Sequence, residues 1–435
     1  MAGATALVSV AAAAAIAFVA VERPLVSAFL VCSAVFVIAA LARPEIALLL
    51  LGAALPWEDM LAYPDNVLTI VKLLGLLVLA ATAIALLRGS TYIRAAPAPS
   101  IAVVLLVLFV ALSLLLSPDP DAGAIKVVSF FAFALFFFVL VHVLDSWQRI
   151  ERFVAVACAS AGLAALYGLV SFLIGDVPAA EGPIGNPNDY AFMLVALLPF
   201  QVELAWRRRA TQPLWILFAA LSLGAIFASL SRGALIGLGA AVLWLLLARR
   251  ISLSGVLAGV ALVALLAGIG TVFASDAFQD PLQKKQRFGA KTVAAREAYW
   301  TAAVEMGMDR PVSGIGPARF GAETDNYVRN RPVAERDPVV HNSYLEILAE
   351  NGAPALAAFL VFLAATWRTL GAAERRMREL HDAAGARFAT TIKAGLVAAV
   401  VAGAFISVQL SMPFWVFGAL ASAVALLELR RGARA

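Results

Sequence analysis

Runs of about twenty apolar residues recur along nearly the whole chain, and one long polar interval, from about Ser275 to Val340, interrupts them. A helix needs about 20 apolar residues to cross the roughly 30 Å hydrocarbon core of a bilayer, where every backbone polar group must bond internally. The pattern predicts an all-α, polytopic integral membrane protein. Composition agrees: 14% of the residues are charged, against about 25% in soluble domains. Apolar stretches fall near 4–21, 25–42, 45–56, 66–87, 100–117, 124–144, 150–174, 187–205, 213–230, 233–248, 252–273, 343–367, 388–410 and 413–429. Pro24, Pro44 and Pro56 break the first three, which can include half-spans, so about 12–14 transmembrane helices are expected. Three regions follow: N-terminal spans over 1–274, a compact helical loop domain over 275–341, and C-terminal spans over 342–435. No basic segment precedes the first run, which reads as a retained helix. Cys32 and Cys158 lie in apolar runs without ligand spacing and read as small hydrophobes.

Charge in the short loops predicts the orientation. Arg88 and Arg94, Arg149 and Arg152, Arg207 to Arg209, Arg249 and Arg250, Arg375 to Arg378, and Arg430 to Arg434 mark alternate loops. The opposite loops carry Glu58, Asp59, Asp65, Asp119, Asp121, Asp176 and Glu181. Basic residues stay cytoplasmic, so both termini are expected inside and the 275–341 segment outside. The net charge of +5 is dispersed over loops rather than banked on one surface, which speaks against nucleic acid as a partner.

An outer site has no nucleotide donor to draw on, and the sequence holds no phosphate-binding glycine loop of the Walker type. It also lacks an HExxH helix or a clustered set of ligand cysteines and histidines, so no metal and no cofactor is expected. His341 stands where the polar interval meets the apolar helix starting near Tyr344. The positive end of that helix disfavours imidazolium, and a neutral imidazole can accept a proton from a hydroxyl. The plainer alternative is an interfacial residue that ends a loop. His142 and His381 fall at the cytoplasmic ends of spans and cannot join it.

Two arginines complete the pattern. Arg232, in Ser229-Leu230-Ser231-Arg232-Gly233-Ala234, lies at the outer junction of two spans. A guanidinium fork there suits a phosphate, or it reaches lipid headgroups or a carboxylate. Arg296 sits in an amphipathic helix from Lys291 to Met308, whose Ala294, Ala298, Trp300, Ala302 and Val304 can pack down while Arg296 and Glu297 point away. The helix ends at Asp309-Arg310-Pro311, and Gly314-Ile315-Gly316-Pro317 forms a turn.

His341-Asn342, nine further residues, then Gly352 resembles the motif of the bacterial O-antigen ligases, a superfamily that includes the O-antigen polymerases and pilin oligosaccharyltransferases. Ala355 departs from the Gly, Thr or Tyr usual at the motif's last position. The motifs run from about Ser231 to Pro354, and the hydropathy layout is alike throughout. The resemblance implies a metal-independent, inverting glycosyltransferase of the bacterial inner membrane with a periplasmic active site. Its donor would be an undecaprenyl-pyrophosphate-linked glycan, its acceptor lipid A-core oligosaccharide and its product lipopolysaccharide. It carries the base onto His341, and pyrophosphate binding onto Arg232 and Arg296. An O-antigen or exopolysaccharide polymerase, with a lipid-linked glycan as acceptor, is the alternative. A flippase would need polar groups near the midplane and related halves, and the sequence displays neither.

Further residues are candidates for substrate binding. Lys72 and Lys126 lie toward the outer ends of spans, where they line a donor pocket or snorkel. Asn188 and Tyr190, in Gly185-Asn186-Pro187-Asn188-Asp189-Tyr190, can meet sugar, although Asn188 or Asp189 is first of all a helix N-cap. Lys284, Lys285 and Arg287 suit anionic headgroups of membrane lipids or acceptor phosphates. Glu346 and Glu350, four apart on one helix face, are expected to pair with arginines and can orient the base.

Overall fold

The computed structural model describes residues 41–57, 70–89, 96–174, 177–257, 259, 294–328 and 338–432. The described residues hold no strand. The principal helices are α1 (Pro44–Ala54), α2 (Ile70–Leu87), α3 (Pro97–Leu115), α4 (Pro120–Val143), α5 (Trp147–Ile174), α6 (Pro187–Arg207), α7 (Gln212–Ala228) and α8 (Arg232–Leu247). After these come α9 (294–309), α10 (Phe320–Tyr327), α11 (Ser343–Glu379), α12 (Ala383–Ala402) and α13 (Met412–Gly432). Prolines start α1, α3, α4 and α6 within their first turn, where a missing N–H costs no helical bond.

Among the described residues, eight helices are long and apolar enough to cross a membrane, and α1, α2 and α8 are shorter apolar helices. The chain is thus an all-α polytopic membrane protein. The expected stretch at 4–21, nearly all of that at 25–42, and most of that at 252–273 lie outside the described residues.

Helices α3, α4, α11 and α13 share an aromatic core in which Phe130, Phe137, Phe359, Phe362, Phe414 and Trp415 are fully buried. Helices α5, α6, α7, α8 and α12 meet through small residues such as Ala161, Ala164, Ala225 and Ala398. A Cβ on Gly237 would stand 2.7 Å from the Ala398 carbonyl oxygen, so α8 and α12 pack almost backbone to backbone. Large apolar side chains such as Leu76, Leu108, Ile125, Leu166 and Ile216 face outward. Small residues at these contacts let helix backbones approach closely, and dispersion between them drives association when the solvent is lipid.

Arginines gather at one end of the bundle, as their alternation predicts. Arg149 and Arg152 both reach Glu45, Arg207 reaches Glu151, Arg378 reaches Glu374, and Arg431 reaches Asp382. The other end carries a small cap of its own. There Tyr299, Ala302, Ala303, Met306, Ile315, Phe320 and Val340 pack together with Ala349 of α11.

The inward face of α9 differs from the expected one. Ala295, Ala298, Tyr299, Ala302, Ala303 and Met306 are buried, while Ala294 and Val304 are exposed. This stripe keeps the spacing of three and four, and it places Tyr299 and Met306 inside, which buries more apolar surface.

Candidate functional site

Helix α11 is two pieces joined at Gly352. That residue has φ 80° and ψ 175°, a conformation open almost solely to glycine. Loop 311–316 enters the break. Ile315 donates its N–H to the Ala349 carbonyl, Gly316 donates to the Glu350 carbonyl, and Ala353 donates to the Pro311 carbonyl. A Cβ on Gly352 would sit 2.6 Å from the Val312 oxygen, and one on Gly314 would sit 2.3 Å from the Glu350 carbonyl carbon. Ser113 of α3 closes the arrangement by donating to both the Ser313 and Glu350 carbonyls. The spacing from His341 to Gly352 therefore has a physical basis: it is the length of helix between the base candidate and the point where the cap loop threads in.

Asn342 caps the first piece, its Oδ1 accepting the N–H groups of Tyr344 and Leu345. His341 precedes the cap in the left-handed region, with φ 52°, and is half-buried. Such a backbone is uncommon outside glycine, though histidine visits it more than most residues. Ser343 fixes the helix start to the turn between α12 and α13. Its N–H donates to the carbonyls of Gly403 and Ile406, its hydroxyl donates to Ile406, and Val408 donates back to that hydroxyl.

The same turn receives the chain beside both arginines. Arg232 is exposed at the first position of α8, and a Cβ on the adjacent Gly233 would stand 2.7 Å from Phe405. Arg296 is half-buried, one helical turn ahead of Trp300 and on the same side of α9. The Trp300 ring lies 6.3 Å from that of Phe405, and its indole N–H donates to the Val340 carbonyl at 3.0 Å. Three distant segments thus seat on residues 403–408, each within a few residues of one candidate.

Below His341 lies a buried charge cluster. Lys126 Nζ is 2.5 Å from Glu346 Oε1 and 2.5 Å from Glu350 Oε2. Gln409 donates to Glu346, and the Phe320 N–H donates to Glu350. The two glutamates pair with a lysine rather than with arginines, because α4 faces α11 here and brings Lys126 to them. Two carboxylates against one ammonium leave the cluster acid-rich, and its geometry joins four elements: α4, α11, the cap and the 403–409 turn.

The remaining candidates are dispersed. Lys72 is exposed near the start of α2. Tyr190 is buried, and its hydroxyl donates to the Ala164 carbonyl, so it packs within the helix layer instead of facing a sugar. Asn188 is half-buried, and the cap of α6 is Asn186, whose Oδ1 accepts from Asn188 and Asp189. Lys284, Lys285 and Arg287 lie outside the described residues. Among the described residues, no three His, Cys, Asp or Glu side chains gather closely enough to hold a metal. On the cap, hydrogen bonds from Arg319 and then Asn326 hold the Glu323 carboxyl below the usual glutamate range. Partial burial, then its bond to Asp309, raises the Tyr327 hydroxyl.

Sequence reading missed the 403–409 turn, which it placed inside the end of one apolar stretch. Its signal is a polar set in apolar surroundings: Ser407, Gln409 and Ser411 just before Pro413.

The family profile described as O-Antigen ligase matches residues 217–360. This stretch is an O-antigen ligase domain. It runs from α7 through the cap into α11, and holds Arg232, Arg296, His341, Glu346 and Glu350. Lys126 and the 403–409 turn, which complete the surroundings of the O-antigen ligase domain, lie outside it. Comparison with curated proteins gives no match. An O-antigen ligase domain in a multi-pass chain of this kind implies glycosyl transfer of the ligase or polymerase type, in a membrane and on lipid-linked glycan.

Proposed function

We propose that the chain is an O-antigen ligase, which moves a glycan from undecaprenyl pyrophosphate to lipid A-core oligosaccharide at the periplasmic face of the inner membrane. The observation that carries this reading is the common seat on residues 403–408 of the segments bearing Arg232, Arg296 and His341. The alternation of basic loops supports the orientation, with both termini cytoplasmic.

In this reading, His341 takes the proton of an acceptor sugar hydroxyl. The hydroxyl oxygen attacks the anomeric carbon as the bond from that carbon to the pyrophosphate oxygen breaks. Direct displacement inverts the anomeric carbon and needs no carboxylate nucleophile. Negative charge grows on the departing pyrophosphate, and Arg232 and Arg296 meet it with fixed forks of donors. Lys126, Glu346 and Glu350 act at one remove: they hold the first piece of α11 and the cap in register. The donor electrophile is already activated by its leaving group, so the scheme uses no metal, and chelator should leave the rate unchanged.

The test uses purified protein in lipid nanodiscs, lipid-linked glycan as donor and core oligosaccharide as acceptor. His341→Ala should abolish transfer while leaving thermal unfolding unchanged. Full activity in that variant removes the base and with it the mechanism. The acceptor is decided by the envelope glycolipids of a deletion strain. Complete core without polymer, alongside accumulated lipid-linked polymer, marks a ligase, whereas core capped by a single repeat unit marks a polymerase.

A further inference from the structure

The cluster below His341 sets two buried carboxylates, Glu346 and Glu350, against the single ammonium of Lys126. With both acids ionised it would enclose a net negative charge, which a buried site ordinarily sheds by taking up a proton. No second cation balances it. Among the described residues, Lys126 of α4 is the only cation paired with either glutamate. The 403–409 turn brings the neutral Ser407 and Gln409, and the cap brings backbone at Ala318 and Phe320. The Arg319 guanidinium, next to Phe320, is turned to Asp119 and Glu323.

The oxygens left over indicate where a proton belongs. Gln409 donates its Nε2 N–H to Glu346 Oε1 at 2.7 Å. The other oxygen of each group, Glu346 Oε2 and Gln409 Oε1, is buried and has no hydrogen-bond partner among the described residues. Gln409 is 3% exposed, so bulk solvent does not serve its amide oxygen. The Ser407 hydroxyl is also unpartnered, and so does not serve Glu346 either. Each orphaned oxygen is bonded to the same carbon as one member of the contact between Nε2 and Oε1. Two bare acceptors repel, whereas a proton on one satisfies both.

We infer that the Glu346 and Glu350 pair holds one proton, seated on Glu346 Oε2 and donated to Gln409 Oε1, so that acid and amide close a ring of two hydrogen bonds. Glu350, which accepts from Lys126 and from the Phe320 N–H, keeps the negative charge. The site then contains one carboxylate, one ammonium and one neutral acid, with no net charge to bury. Gln409 is a positioning residue in this arrangement. Through the ring it fixes the end of the 403–409 turn, where the three candidate segments seat, to the first piece of α11.

Infrared spectroscopy of the full chain in an ester-free detergent reads the proton directly, because a protonated carboxyl has a carbonyl stretch that a carboxylate lacks. The wild-type spectrum at neutral pH, less that of Glu346→Gln/Glu350→Gln, should show one such band, and it should shift in heavy water. Glu346→Gln alone should remove it. So should Glu350→Gln, which leaves Glu346 to carry the charge opposite Lys126. Gln409→Leu should keep the band and move it to higher frequency, as the acid loses its acceptor, whereas Ser407→Ala should leave it in place. Absence of the band, its survival in either single amide variant, or a Gln409→Leu band that does not move overturns the proposal. A band seen only after sodium is withdrawn would make the cluster a metal-cation site and overturns it too. No glycan enters the measurement, so its outcome is independent of the transfer mechanism.

Discussion

The Trp300 indole donates its N–H to the Val340 carbonyl, 3.0 Å away, and so ties the helix carrying Arg296 to the chain entering His341. A single neutral hydrogen bond contributes about 0.5–1.5 kcal/mol net. Trp300→Phe keeps an aromatic ring against Phe405 and loses only the donor. Transfer should fall about 2–10-fold, with unfolding temperature nearly unchanged. An unaltered rate in a steady-state assay would show that this tie has no bearing on the chemistry.

Replacing either arginine separates fork from charge. Removing one preorganised donor to a developing anion costs about 100- to 1,000-fold, so Arg232→Ala and Arg296→Ala should each reduce transfer to a few per cent or less. Lysine preserves the charge but not the planar pair of donors, and Arg→Lys should recover little. Full rescue by lysine would mean that these positions supply only a positive field.

Lys126 is the counter-charge of two buried carboxylates. Breaking a buried ion pair from one side costs about 3–5 kcal/mol, whereas removing both partners can be nearly neutral. Lys126→Met should lower the thermal midpoint sharply, and Lys126→Met/Glu346→Gln/Glu350→Gln, which removes the lysine and both carboxylates, should restore much of it. The assay is unfolding in detergent followed by intrinsic fluorescence. A triple variant no more stable than the single one would contradict the cluster.

Gly352→Ala places a side chain where φ is 80° and the Val312 oxygen is 2.6 Å from its Cβ. Strain on the order of 3 kcal/mol should push loop 311–316 out of the break. Limited proteolysis should then cut the cap far faster than in wild type, while the membrane helices stay protected. Unchanged protection of the cap would deny the interlock.

Acid should loosen the cap locally. The Glu323 carboxyl lies below its ordinary value of 4.5 because Arg319 and Asn326 hydrogen-bond it. A depressed carboxylate contributes stability above its unfolded value, and that contribution disappears as pH falls through the folded one. Amide exchange across α10 should be constant from pH 7 to about 5, after correction for intrinsic rates, and rise below about 4. Glu323→Gln should abolish that dependence.

Signals carried by single stretches were legible in the sequence. Helix positions follow apolar length and proline placement, as in α4 and α6, and the clustering of Arg149, Arg207 and Arg378 at one end follows from loop charge. The segment from His341 to Gly352 could be recognised, but the reason for its spacing could not, because the loop that enters the break comes from residues 311–316. Pairing across long separations was hidden altogether. Glu346 finds Lys126, 220 residues away, and no local pattern favours that lysine over an arginine. The face of α9 was misjudged for a related reason: Tyr299 and Val304 both suit an apolar stripe, and only the cap around Phe320 and Ile315 decides between them.

The interruption at Gly352 divides one continuous rod into two pieces. The portion before it hangs from the cap loop, from Ser343 on the neighbouring turn, and from Lys126, and it has no unbroken helical ladder to the portion beyond. The joint is braced from both sides: loop 311–316 holds Ala349 and Glu350 before it and Ala353 after it. His341 therefore keeps one register with the cap and with the long membrane-crossing piece alike.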